Sequence, residues 1–129
     1  MALTQKTHRD PLGLARTIHE LAALDETGAV LEVADKDIVS IVLETNHATV
    51  NYFKFWDSPN PDLDTDPPDM MIPLIGSSIK RTIDVSMADC FTNGMFVLAT
   101  ATKNSGNASA NITQAAPNGT VNVWVVTTP

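Results

Sequence analysis

Short segments rich in β-branched and aromatic residues follow one another after Gly28, at intervals of about ten residues. Turn-forming residues separate them, and no helical segment lies between them, so the crossover helices that a parallel sheet needs are missing. The pattern therefore predicts an all-β fold, an antiparallel β-sandwich over residues 28–129. The segments read AVLEVA, DIVSIVLET, ATVNYFKFW, MMIPLIG, IKRTIDVSM, GMFVLATAT and TVNVWVV, with NIT as a further short candidate.

Three of these segments carry more specific information. In ATVNYFKFW, Phe53 and Phe55 alternate with Lys54 and Trp56, which is typical of a strand with one face in the core. GMFVLATAT is apolar on both faces and is predicted to be a central strand. MMIPLIG is interrupted by Pro73, which lacks a backbone N–H and indicates either an edge strand or the end of a loop.

Residues 1–27 lie outside this strand pattern and are predicted to form a separate N-terminal element. Leu14, Ile18 and Leu21 are at helical spacing, and Asp10 could cap a short helix beginning at Pro11. The β-branched residues weaken that helix, and the alternative is an extended arm that lies on another molecule. The predicted partner contacts in this element are Leu12, Leu14, Arg16, Ile18 and Leu21.

Composition narrows the choice of partners. The 129 residues suffice for one domain, and 15 acidic against 8 basic residues give a formal net charge of −7. Because no basic cluster occurs, nucleic acid and anionic membrane are not expected partners.

Cys90 is the single cysteine, so no intrachain disulfide is expected, and it is interpreted as a buried apolar thiol. No apolar stretch has transmembrane length, and no signal-peptide pattern is seen, which favours a soluble protein assembled inside a cell.

The acidic stretch WDSPNPDLDTDPPD, residues 56–69, raises the question of a metal site. The alternating aspartates at its centre imitate the start of an EF-hand loop, but Pro67 and Pro73 occupy the positions of the required glycine and glutamate. An EF-hand is therefore excluded, and we expect a stiff, solvated connection with no metal cofactor. A looser calcium site stays open as the weaker alternative, with Asp62, Asp64 and Asp66 as its ligands.

No pattern of catalytic chemistry is recognisable. His8, His19 and His47 have no ligand spacing, and neither a G-x-S-x-G elbow nor a phosphate-binding loop occurs. The protein is therefore predicted not to be an enzyme. Only 18% of the residues are charged. A surface rich in Thr, Asn, Ser and Ala suits docking through flat, hydrogen-bonded contacts.

The chain from about residue 50 to 127 resembles small virion proteins of tailed bacteriophages. A strand that ends in aspartate leads to a Pro- and Asp-containing loop, then to I-P-L and a glycine. F-x-N-G, an apolar strand, a small polar loop and a final V-N-V strand follow in that order. The matching positions are Asp57, Pro73, Gly76, Phe91, Asn93, Gly94, Val121, Asn122 and Val123.

This resemblance implies a structural virion protein with a sandwich or jelly-roll core. It implies most strongly a decoration, or cement, protein that binds the major capsid protein on the outside of the shell and stabilises it. A homotrimer would suit the local threefold positions of an icosahedral capsid. Two alternatives remain: a connector between head and tail, and a tail-fibre or tail-tip module that binds host glycans. For the glycan module, Trp56 and Asp57 are the predicted binding residues.

Overall fold

The computed structural model describes residues 2–9, 15–34, 36–63, 65–84, 91–103 and 115–129. Every element in these ranges is a β-strand, and all strand pairs are antiparallel, which confirms the predicted all-β class. No helix able to cross a membrane occurs in them. The strands are β1 (Ala2–Arg9), β2 (Ala15–Ala22), β3 (Ala29–Leu31), β4 (Ile38–Trp56), β5 (Met70–Asp84), β6 (Met95–Thr100) and β7 (Val121–Thr127).

The seven strands form one sheet that curls into a half-barrel. Its order is β1-β2-β7-β4-β6-β3, and β5 pairs with β4 outside this path. The first part of β4 pairs with β7 and its last part pairs with β6, while β5 follows it on the other side. β4 is therefore the spine of the sheet, and β1, β3 and β5 are edge strands.

Two pairs of predicted strands are merged in the structure. DIVSIVLET, from Ile38 onward, and ATVNYFKFW form the single strand β4, and MMIPLIG and the first six residues of IKRTIDVSM form β5, so the predicted breaks were wrong. Residues 85–87 lie outside the described residues. The polar stretch after Thr45 stays extended, and the register with β5 shifts between Thr45 and Asn51. This irregularity takes the place of a turn. The edge position of MMIPLIG is confirmed, since among the described strands β5 pairs only with β4.

A polar cluster holds the irregular part of β4. Asn51 is fully buried, and its Nδ2 donates to Thr45 Oγ1 at 3.0 Å and to the Asn118 carbonyl at 2.8 Å. Its Oδ1 accepts the Asn118 backbone N–H at 2.7 Å. Asn118 belongs to the turn that precedes β7, and Asn46 holds the same turn, because its Oδ1 accepts the Thr120 N–H at 2.7 Å. These bonds join the start of β7 to the middle of β4.

One hydrophobic core fills the concave side of the sheet. Leu21, Leu43 and Val123 contribute from the β2–β7–β4 part, and Phe53 and Phe55 contribute from the other half of β4. The predicted common face of Phe53 and Phe55 is thus confirmed. β6 is almost entirely buried and lies between β4 and β3, as predicted for a strand that is apolar on both faces.

The described N-terminal residues are strands, so the predicted helix is wrong. Ala15–Ala22 form β2, which pairs with β1 on one side and with β7 on the other. Thr17, His19 and Leu21 alternate into the interior with at most 3% exposure. This period of two, supported by β-branched Thr17 and Ile18, outweighs the helical spacing of the leucines. β2 is an inner strand of the sheet rather than a separate arm.

Candidate functional site

The predicted partner contacts are separated by the fold. Leu12 and Leu14 lie outside the described residues. Leu21 is fully buried in the core, so its side chain is not at the surface. Arg16 and Ile18 are on the outer, convex face of β2 and are half-buried.

Ile18 belongs to an apolar row on this convex face. It pairs across strands with Val126 of β7, and Trp124, two residues before Val126, pairs with Val42 of β4. All four side chains are partly exposed, and none belongs to the core cluster. We call these four residues, Ile18, Val126, Trp124 and Val42, the outer apolar strip.

Polar and charged side chains surround the outer apolar strip. The Nζ of Lys80 on β5 lies 4.5 Å from the centre of the Trp124 ring, within cation–π distance. Beside it, Asn122 Nδ2 donates to Glu44 Oε1 at 2.8 Å. An apolar centre with a charged and amide rim is the arrangement found in protein–protein interfaces.

Trp56 does not have the exposure that a glycan-stacking residue needs. It is 3% exposed, its Nε1 donates to the Asp66 carbonyl at 3.0 Å, and its ring makes an edge contact with Phe96 at 6.0 Å. The loop after β4 thus folds back onto this indole. Trp56 is therefore buried by its own loop, and its role in glycan binding stays a prediction.

Asp57 has a structural role in the same loop. Its Oδ1 accepts the Asn93 backbone N–H at 2.8 Å, and its backbone N–H donates to Asp69 Oδ2 at 2.6 Å. The neighbouring Gly94 has φ +123°, a value that favours glycine. Hydrogen bonds therefore join the loop that begins at Asp57 to the F-x-N-G segment, although the two are far apart in sequence.

The aspartate loop closes on itself. The Asp66 backbone N–H donates to the Asp62 carbonyl at 2.8 Å, and the Asp62 backbone N–H donates to Asp66 Oδ2 at 2.9 Å. Asp64, the third predicted calcium ligand, lies outside the described residues. Within the described ranges, no three His, Cys, Asp or Glu side chains come together as a metal site would require. Cys90 also falls outside those ranges.

A cavity of about 230 Å³ lies where the two ends of the curled sheet approach each other. β1 and β3 are the first and last strands of the order, and both line this space, which we call the seam cavity. The cavity has an apolar part and a polar part. Its lining residues are Leu3, Gln5, His19, Val30, Leu31, Glu32 and Lys36.

His19 is the buried polar group of the seam cavity. It is 3% exposed, and its Nε2 is 3.2 Å from Thr127 Oγ1. Burial, and then the positive charge of Lys36, lower the pKa of His19 below its ordinary value of 6.5. His19 is therefore neutral at pH 7, and Lys36 carries the positive charge at this end of the cavity.

A second buried titratable group lies on the outer face of the sheet. Lys54 is 0% exposed, and its Cα partners are Met71 on β5 and Leu98 on β6. Burial lowers the pKa of Lys54 to about 8. The alternation of the segment placed Lys54 opposite the core, but it gave no sign that this opposite face is also buried.

Sequence reasoning missed the outer apolar strip as a unit and missed the seam cavity. Trp124 and Val126 alternate with buried valines in the last strand, which was a usable signal for one row of the strip. No comparable signal exists for the cavity, because its residues come from three strands and a loop that only the curl of the sheet brings together.

Comparison of the chain with protein-family models, with curated proteins and with solved structures gives no significant match.

Proposed function

We propose that the protein is a structural component of a bacteriophage particle that binds the outside of the capsid and stabilises the shell. The observation that carries this proposal is the outer apolar strip, a row of four partly exposed apolar side chains on the convex face of the three neighbouring strands β2, β7 and β4. Such a row, with a charged rim, suits a broad contact with another folded protein. The major capsid protein is the proposed occupant.

Two of the five partner contacts predicted from the sequence lie in or beside the outer apolar strip. Arg16 and Ile18, expected from the sequence to touch a partner, are on the outer face of β2, beside Val126. The proposed mechanism is associative: each bound copy adds interface that a pressurised shell would have to break before it opens. A specific contact of this kind buries about 800 Å² on each partner.

Two finer features belong to the same proposal. The jelly-roll-like sandwich is supported by the irregular middle of β4, which lets one sheet place Leu43 and Phe53 in a common core. A homotrimer is proposed because threefold positions recur over icosahedral shells. The net charge of −7 would keep unassembled copies apart in solution.

The test is to mix purified protein with capsids that lack it and to reconstruct the particles by electron microscopy. We expect density at regular sites over the shell, with the convex face of the sheet towards the capsid. A bare shell, with the protein found on tails or on host glycans, would overturn the proposal.

A pair of variants locates the contact. Val126→Glu places a charge in the centre of the outer apolar strip and should reduce co-sedimentation with capsids at least about tenfold, since about 1.4 kcal/mol of lost binding free energy corresponds to that factor. The matched control is Ile75→Glu, at a residue that is 64% exposed and outside the strip. Equal loss in both variants would contradict the assignment of the strip as the contact.

A further inference from the structure

We infer that the seam cavity is a binding site for a small monocarboxylate with an apolar tail. This inference goes beyond the proposed role on the capsid and does not depend on it. It rests on the position of the cavity, on the charges that line it and on its division into an apolar and a polar part.

The cavity contains a cation with no partner in the described structure. Lys36 is half-buried, and in the described part of the chain it makes no ion pair, although Glu32 lines the same cavity. Glu32 is exposed, so water screens its charge more than that of Lys36. A half-buried ammonium group of this kind favours an anionic ligand.

Neutral hydrogen-bonding groups surround this cation. The Thr127 hydroxyl donates to the Thr128 carbonyl, so the neutral His19 donates its Nε2–H to Thr127 Oγ1, and its Nδ1 is an acceptor that adds no charge to the cavity. Gln5 on β1 adds an amide to the lining. One carboxylate could therefore pair with Lys36 and accept a hydrogen bond from the Gln5 amide.

The apolar part of the seam cavity is the reason for proposing a ligand with an apolar tail. Leu3 is 50% exposed and Val30 is 42% exposed, and both line the cavity together with the buried Leu31. A tail lying between β1 and β3 would cover the first two side chains. The volume of about 230 Å³ is below the roughly 300–1,000 Å³ of pockets for drug-sized molecules, which limits the ligand to a small acid.

The experiment titrates the full chain with benzoate, and with benzamide as the neutral analogue, at constant ionic strength. NMR signals of the His19 ring and the Leu3 methyl groups report binding. Benzoate should shift both sets of signals saturably and raise the pKa of His19, because a bound carboxylate offsets the charge of Lys36. Lys36 and Glu32 are the charged groups lining the cavity with His19, while β1 and β7 face it with neutral Gln5 and Thr127.

Two lysine variants test whether Lys36 supplies the positive charge that binds benzoate. Lys36→Met should weaken benzoate binding at least about fivefold, the factor for about 1 kcal/mol of lost attraction. Lys6→Met, on the exposed outer side of β1, should leave it unchanged. The capsid-contact variant Val126→Glu should also bind benzoate normally, which separates this inference from the proposed function.

Three results would overturn the inference. They are no saturable shift up to about 50 mM benzoate, equal shifts with benzamide, and equal weakening by the two lysine variants. A rise in the His19 pKa with benzoate in the unmodified protein supports the site independently of how the variants fold.

Discussion

Single residues show where this sheet departs from the simple rule of one buried and one exposed face. Lys54 alternates with the core residues Phe53 and Phe55 and is nevertheless 0% exposed on the other side. A buried ammonium group is less stable than a hydrated one, and the lowered pKa of Lys54 expresses that difference.

This lowered pKa predicts a pH dependence of stability. The folded state releases the Lys54 proton near pH 8, whereas the unfolded chain holds it up to its ordinary pKa of 10.5. Between these values the unfolded state binds more protons, so stability rises with pH, by up to about 3 kcal/mol in total.

The check is urea unfolding of the natural protein and of Lys54→Met from about pH 7 to about pH 10.5. The difference between their unfolding free energies should change in favour of the natural protein as pH rises. Other titrating groups are common to both proteins and cancel in the difference. Parallel curves would show that Lys54 does not titrate in this window.

Gly119 gives a second prediction at this scale. Its φ of +67° lies in the left-handed region, and an added Cβ would contact Asn46 Oδ1, the acceptor that holds the turn before β7. Gly119→Ala should lower the unfolding free energy by about 1–3 kcal/mol, measured by urea unfolding. Thr120→Ala, at the exposed next residue, is the control and should change stability by less than about 0.5 kcal/mol. Equal stability of the two variants would contradict this role of Gly119.

At the scale of elements, β1 and β2 differ in what they contribute. The described side chains of β1, Leu3 to Thr7, are exposed, whereas β2 places Thr17, His19 and Leu21 in the interior. β2 also supplies one of the two pairing partners of β7. Its loss would uncover the core face of β7 and remove a backbone ladder.

Two truncations test this difference. Removal of residues 1–9 should leave a cooperatively folding β-protein, because an edge strand with exposed side chains is lost. Removal of residues 1–22 should abolish the cooperative transition, because burial of Leu21 alone contributes about 1.5–3 kcal/mol of a total stability of about 5–15 kcal/mol. Circular dichroism during thermal unfolding measures both. A cooperative transition in the shorter chain would show that β2 is dispensable.

At the scale of the whole molecule, the sequence predicts what depends on local pattern. The antiparallel all-β class, the common face of Phe53 and Phe55 and the edge position of β5 follow from alternation and from Pro73. The strand nature of β2 was hidden, because Thr17 and His19 are polar residues buried against β7, which follows about 100 positions later. The site was also hidden, since the strip and the cavity join residues that only pairing and curl bring together.

The position of β7 in the order has a consequence for the timing of folding. It is the last of the described strands in the chain, yet it lies between β2 and β4 in the sheet. Until a ribosome has released this segment, β1 with β2 and β4 with β5 are separate hairpins, and Leu21 and Leu43 lack the contribution of β7 to their common core. The contacts that join them are distant in sequence, and such contacts make folding slow. Productive folding therefore begins late in synthesis, and nascent chains that still lack β7 are the species most in need of protection by chaperones.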